Sequence, residues 1–277
     1  SVKMLVGDSV LSFTQQGPAL TIELPSMLVR PELDTVVVVE VQGPPVVFRA
    51  PTITCGWPEF VTGTTATISA GTGLVARYTT DGGMPTADSP MADGPIAIET
   101  TCELRAATFR DGDRVSEVVS QRFTAVAPWP ACEPVPKAAG LMREIVAGVA
   151  WEAIPADAER QVLADRRGAV PTVTCGDAPG EHVAQRLSGF LEVPNDELYR
   201  FALRSDDGSR LWLDGRLVVD NDGLHGTVEK TGAAPLAQGL HAITVVWFNK
   251  TGGYELGLKW ATGGGALVEV PTAALRH

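Results

Sequence analysis

The sequence predicts an all-β protein built as tandem β-sandwich units, and three observations lead there. Short runs of period two alternate apolar and polar side chains, as half-buried strands do. Asp-Gly dipeptides, strong formers of tight turns, punctuate those runs. Two proline-rich stretches then cut the chain, whose 277 residues exceed the ~100–200 of a typical domain. Hydrophobic residues at 44% and charged residues at 20% support packed cores rather than disorder.

Residues 1–49 read as the last strands of a partial sandwich. In "PALTIELPS", Leu20, Ile22 and Leu24 alternate with Thr21 and Glu23, and "DTVVVVEVQG" is an unbroken β-branched run. The two are expected as strands of one sheet, the second buried on both faces. "QGPPVVFRAPT", residues 42–52, reads as a stiff linker with a boundary near residue 49. Residues 50–127 carry short alternating runs broken by turns at Asp81-Gly82, Asp93-Gly94 and Asp111-Gly112, which predicts a small β-sandwich. "APWPACEPVPK" is a second joint, because its prolines cannot continue a sheet interior.

The last unit spans 135–277. Its first part, up to Gly168, mixes Ala and charged residues with interruptions at Gly140, Gly148 and Pro155, and propensity makes it partly helical. Beyond it the strand signal is stronger: Tyr199, Phe201 and Leu203 alternate, as do Tyr254, Leu256, Leu258 and Trp260. Trp247 and Trp260 sit in well-patterned strands and read as core.

A net charge of −11, with no Lys/Arg run, opposes binding to nucleic acid or anionic membrane and leaves neutral ligands or cations as partners. No apolar stretch approaches the ~20 residues that cross a bilayer, so no membrane insertion is expected. The opening "SVKMLVGDSV" lacks a signal-peptide layout and reads as the start of an excised piece. Cys55, Cys102, Cys132 and Cys175 are widely spaced without a zinc pattern; one or two disulfides or buried thiols both fit.

The candidate site is "SDDGSRLWLDGRLVVDN", residues 205–221. Strands ending at Ser205, returning over 211–213 and again over 217–219 would place alternate turns at one end of the sheet. That gathers Asp206, Asp207, Asn221 and Asp222, with His225 and Asn249 of "FNKTGG" as neighbours, and Trp212 as a ring able to face either side. Such an oxygen-rich group suits Ca²⁺, with Asp206 and Asp207 as ligands, and equally suits sugar hydroxyls. Asp and Asn before Gly are also ordinary turn formers that cap the backbone, which is the bland reading of each residue. Asp214 falls in a two-residue hairpin at the opposite end, so Asp207→Ala is expected to abolish any glycan binding that the group supports and Asp214→Ala to leave it intact.

No βα alternation long enough for a catalytic barrel is present, and neither a Ser-His-Asp nor a Cys-His signature appears. His182, His225, His241 and His277 are scattered, and the piece reads as non-catalytic.

Residues 140–265, through "GFLEVPNDELYRFALRSDDGSRLWLDGRLVVDNDGLHG" and "GLHAITVVWFNKTGGYELGLKW", resemble the protective-antigen type (PA-fourteen) module, a jelly-roll-like sandwich. The resemblance implies glycan binding in which the Asp206-Asp207 pair holds Ca²⁺ and Asn249 completes the site. Residues 76–109 resemble the immunoglobulin-like domain at the C-terminus of chitobiases and hexosaminidases, a spacer. Residues 1–43 are similar to the last strands of the sandwich that follows the catalytic barrel in glycoside hydrolase family 29, the α-L-fucosidases. Together the three imply a C-terminal accessory region of a secreted, periplasmic or surface-held bacterial α-L-fucosidase. Its partners would be a glycan and the catalytic domain of the same parent chain. The competing expectation is a scaffold that packs on that domain and binds no sugar.

Overall fold

A computed structural model describes residues 1–5, 9–16, 19–24, 36–41, 48–136, 138–158, 160, 166–177 and 180–277. It divides into two compact units, Ser1–Phe48 and Arg49–His277.

The first unit holds β1 (Val2–Met4), β2 (Phe13–Gln16), β3 (Ala19–Ile22) and β4 (Val37–Val39). β1 pairs antiparallel with β4, and β2 with β3, over a small cluster of Val2, Met4 and Leu11. The runs around β3 and β4, expected to share one sheet, therefore lie in separate two-stranded ribbons. Nor is the second run buried on both faces: Val37 and Val38 are half-buried and Val39 is exposed. Each ribbon has a single partner strand among the described residues, so a β-branched run has no second layer to bury its outer face. Residues 18, 25, 26, 34 and 35 of these runs, and residues 42–47 of the expected linker, lie outside the described residues.

The second unit opens with β5 (Thr52–Cys55), β6 (Glu59–Phe60), β7 (Thr64–Ser69), β8 (Val75–Thr79), β9 (Ile96–Ile98), β10 (Cys102–Arg110), β11 (Asp113–Arg114) and β12 (Val119–Ala125). Strands β5-β7-β9 form one sheet, and β11-β10-β12-β6 with β8 on the far side of β10 form the other. Between them pack Phe60, Ile68, Ile96, Ile98, Leu104 and Phe123. Asp111 and Gly112, with φ of 51° and 91°, make the two-residue turn from β10 to β11 that the dipeptide predicts. Cys55 and Cys102 border this core and Cys175 the core of the larger sandwich; these three and Cys132 are free thiols, and burial pushes the pKa of all four up.

The larger sandwich follows: β13 (Leu141–Ala147), β14 (Arg166–Val170), β15 (Val183–Val193), β16 (Glu197–Asp206), β17 (Ser209–Leu213), β18 (Arg216–Asn221), β19 (Val228–Leu236), β20 (Gly239–Asn249), β21 (Glu255–Thr262), β22 (Val268–Glu269) and β23 (Leu275–Arg276). One sheet runs β14-β13-β15-β20-β17-β18, with β23 also on β15; the other runs β19-β16-β21-β22. Tyr199, Phe201, Leu203 and Leu258 from the second sheet meet Leu187, Leu211, Val245 and Trp247 from the first. The stretch expected to be partly helical contains β13 and β14, and the described residues hold no α-helix. β13 is laddered on both sides, Leu141 and Ile145 enter the core, and Glu144 sits between Arg167 and Arg186. Pairing and burial outweigh the local preference of Ala and Glu for helix. Residues 137, 159 and 161–165 of that stretch lie outside the described residues.

The proline-rich joint is strapped down. Trp129 N–H donates to the Pro235 carbonyl and Cys132 N–H to the Leu240 carbonyl, each at 2.8 Å. The Arg216 guanidinium lies 4.4 Å over the Trp129 ring.

Candidate ligand site at the Asp206-Asp207 turn

Asp206 ends β16 in one sheet and Ser209 opens β17 in the other, so Asp206-Asp207-Gly208 is the crossing between the two layers. The Asp206-Asp207 peptide bond is cis. Gly208 is required by close approach: a Cβ there would stand 2.5 Å from Phe248 Cε1 and 2.8 Å from the Gly223 nitrogen. Its carbonyl accepts from the Phe248 N–H at 3.0 Å.

Asp207 is 7% exposed, and both of its carboxylate oxygens are used. Oδ1 accepts from the His225 backbone N–H at 3.0 Å and Oδ2 from the Lys250 backbone N–H at 2.9 Å. One side chain thus ties the 222–227 loop and the loop after β20 to the crossing. Each carboxylate oxygen carries two lone pairs, so this leaves acceptor capacity on both. Asp206 is partly exposed, and its carboxylate has no hydrogen-bond partner among the described residues. Burial, then the neighbouring Asp207 charge, raises its pKa.

Beneath the turn lies a polar layer. Ser205, Ser209, Asn221 and Asn249 are all 0% exposed. Asn221 Nδ2 donates to Ser205 Oγ at 2.9 Å and to the Val228 carbonyl at 3.0 Å; Ser205 and Ser209 hydroxyls pair at 2.7 Å. Asn249 Nδ2 donates to the Gly180 carbonyl. The Oδ1 atoms of Asn221 and Asn249 are buried without a partner, a costly state for an amide oxygen.

The structure therefore brings Asp206, Asp207, Asn221, Asp222, His225 and Asn249 to one end of the sandwich, as the turn pattern predicts; a Cβ on Gly208 would stand 2.9 Å from Asp222 Oδ1. Some of these side chains are engaged in holding the fold. Asp222 accepts from the Ile154 N–H at 2.9 Å and pairs with Arg210 at 3.1 Å, which locks the 152–155 segment to the sheet. The His225 ring spans two carbonyls, those of Gly226 and Asn221. Trp212 is a correction: it is 7% exposed and packs with Ile154, Ala158, Ala184, Val246 and Phe248, so it offers no open ring to a sugar. Its neighbours Leu211 and Leu213 face the main core, and the opposite face of β17 is covered by the segment that follows β13 rather than by water.

Sequence reasoning missed Ser205, Ser209 and the Lys250 backbone. The two serines flank the Asp-Asp-Gly turn, where a polar side chain pointing into a core is the available signal. At the opposite end, Asp214 and Gly215, with φ of 49° and 73°, form the expected two-residue hairpin. Asp214 accepts from His241 Nδ1 at 2.7 Å and from the Ala242 N–H at 2.9 Å.

Oxygen donors dominate this end of the sandwich, and the two carboxylates together with the partnerless amide oxygens of Asn221 and Asn249 are donors of the hard, anionic kind that Ca²⁺ takes. Among the described residues there is no group of three or more His, Cys, Asp and Glu side chains that could hold a metal, so amide or main-chain oxygens are required to complete a shell.

The family model described as "PA14 domain" matches residues 172–272, and that described as "Fn3 associated" matches residues 67–123. No curated protein matches the chain significantly. Among solved structures it is similar to a PA14 sugar-binding domain from an RTX adhesin, at 21% identity and TM-score 0.44, over 51% of this chain and 99% of that one. It is also similar to the A domain of epithelial adhesin 6 from Candida glabrata in complex with Galβ1-3GlcNAc, at 12% identity and TM-score 0.41, over 52% and 88%. A further similarity, to an α-xylosidase from Xanthomonas citri, covers 92% of this chain and 30% of that one at 10% identity and TM-score 0.34.

Proposed function

We propose that the PA14-type sandwich binds a neutral glycan at the Asp206-Asp207 crossing, with Ca²⁺ held there. The observation that carries the reading is the partnerless buried Oδ1 of Asn249, whose chain neighbour Lys250 is held through its N–H by Asp207, next in the chain to the unengaged Asp206 carboxylate. A bound cation would relieve both: it satisfies the amide oxygen and offsets the repulsion between adjacent carboxylates. Ca²⁺ there would supply further coordination positions for vicinal sugar hydroxyls, while the chain's own residues fix the carboxylates in place. The match of residues 172–272 to the PA14 domain supports this reading.

The sequence resemblances of residues 1–43 and 76–109 support a wider proposal. In it the chain is a non-catalytic accessory region of a secreted bacterial glycosidase, an α-L-fucosidase, and raises the local concentration of substrate for the tethered enzyme. A second reading, a scaffold that binds no sugar, is favoured by one observation: Asp207 already bonds two backbone N–H groups and serves as a loop lock.

A glycan array on the purified chain, run with calcium and with EDTA, separates the two. Calcium-dependent capture of neutral glycans is expected. Silence in both conditions would overturn the glycan reading and leave the loop lock.

A further inference from the structure

A groove lies where the smaller sandwich meets the larger one. β6 runs against the outward face of β16, and beside this contact a groove of about 390 Å³ opens. Trp57, Pro58 and Glu59 form one wall; Leu198 and Arg200 of β16 with Thr231 to Ala233 of the edge strand β19 form the other. Arg200 and Ala233 are directly opposite in the β16–β19 ladder, which places the guanidinium stem beside the edge strand. The walls are fixed to each other. Glu59 and Phe60 pair with Thr124 and Ala125, and a few residues on Trp129 bridges to Leu236 at the end of β19.

The chemistry of the lining is unspent. Leu198 is 5% exposed, Trp57 and Arg200 are partly buried, and Glu59 and Thr231 are open. Among the described residues, the Trp57 indole N–H, the Glu59 carboxylate, the Arg200 guanidinium and the Thr231 hydroxyl have no hydrogen-bond or ion-pair partner. Donors and an acceptor therefore line the groove together with an aromatic ring and aliphatic carbon. Binding pockets for small ligands show this arrangement: apolar walls with a few polar groups that fix orientation.

We infer that this groove is a second glycan subsite, independent of calcium, that takes a pyranose ring of a neutral oligosaccharide. A pyranose has an apolar C–H face to lie on Trp57 and a rim of hydroxyls that both donate and accept. Arg200 can only donate and ionised Glu59 can only accept, so together they suit adjacent hydroxyls. A carboxylated sugar would meet Glu59 and a net charge of −11, which opposes it. The inference does not rest on the Asp206-Asp207 reading, because no residue of that crossing lines the groove.

The test uses the whole chain in EDTA, with saturation-transfer NMR and calorimetry against millimolar lactose, cellobiose and maltose. Binding of at least one disaccharide is expected to persist in EDTA and in Asp207→Asn, and to weaken about tenfold or more in Trp57→Ala. Because Trp57 is partly buried, Glu59→Gln provides a near-isosteric second variant, expected to weaken binding about fivefold at an unchanged melting temperature. Two results would overturn the inference: no disaccharide binding in EDTA, or EDTA-resistant binding that Glu59→Gln and Trp57→Ala leave intact. Calcium-dependent binding without the EDTA-resistant component would leave the crossing site standing and remove this one.

Discussion

Asp207→Asn separates the cation site from the loop lock. The asparagine keeps one acceptor oxygen and replaces the other with an NH₂ that cannot accept, so either the His225 or the Lys250 backbone N–H loses its partner. An orphaned buried N–H costs about 1–3 kcal/mol, and for a unit of this size each kcal/mol moves the melting temperature by roughly 2–4 °C. The variant is thus expected to melt about 2–12 °C below the wild type in EDTA while still folding. Calcium then discriminates. At a hundred times its dissociation constant, a ligand that binds only the folded state stabilises by about 2.7 kcal/mol, or roughly 5–10 °C. The wild type is expected to gain that increment and Asp207→Asn to lose most of it, because a carboxylate has become a neutral amide. Differential scanning calorimetry of both proteins in calcium and in EDTA reads the four values. A wild type indifferent to calcium, or a variant with the full wild-type increment, would refute the assignment of Asp207 as a ligand.

Further outcomes follow from the surrounding contacts. Burial of the His241 imidazole pulls its pKa down, but the Asp214 and Ala237 hydrogen bonds and the Asp214 charge together outweigh it and raise the pKa. A raised His pKa contributes stability that is complete below the unfolded value of about 6.5 and is lost as pH rises through the folded value. Calorimetric melting temperatures should fall over that window in the wild type and flatten in Asp214→Asn, while glycan binding by the folded variant is unchanged. Gly208→Ala forces a Cβ against Phe248 and the Gly223 backbone. It should cost about 1–3 kcal/mol or more and abolish the calcium response together, as melts with and without calcium would report. Trp212→Ala empties a buried aromatic site and should cost about 3–5 kcal/mol by urea unfolding, with no change in glycan affinity per folded molecule.

The larger sandwich was legible in the sequence where a strand alternates large apolar residues with charged or small ones. Tyr199, Phe201 and Leu203 are spaced by Arg200 and Ala202, and they do face the core. Asp111-Gly112 and Asp214-Gly215 were legible because a type I′ turn needs positive φ at both central residues and few dipeptides supply it. β13 was not legible, since its stability comes from two neighbouring ladders and from an ion-paired Glu144, neither of which local propensity records. Trp212 was ambiguous for a related reason: β17 is covered on both faces, so alternation there carries no inside or outside. At the site, residue type placed the right side chains at one end. It could not say that Asp207 is saturated by two backbone groups while Asp206, its chain neighbour, stays unengaged.

That division of labour follows from where the turn sits. A hairpin turn within one sheet is anchored by its own ladder, but Asp206-Asp207-Gly208 leaves one sheet and enters the other. It has to be held from both layers. Trp247 of the first sheet donates its indole N–H to the Asp206 carbonyl at 2.9 Å, and Asp207 reaches the loops after β18 and β20. The lock therefore fixes the Asp206 backbone and leaves both carboxylate oxygens unengaged. A cation at this point would join groups anchored in both sheets, so calcium affinity and sandwich stability should change together. Trp247→Phe tests that coupling. It keeps most of the buried ring and removes the bond to Asp206, so it should weaken calcium binding by calorimetry even though Trp247 is 0% exposed and touches no ligand. Unchanged calcium affinity in that variant would show that the crossing is held well enough by Asp207 alone.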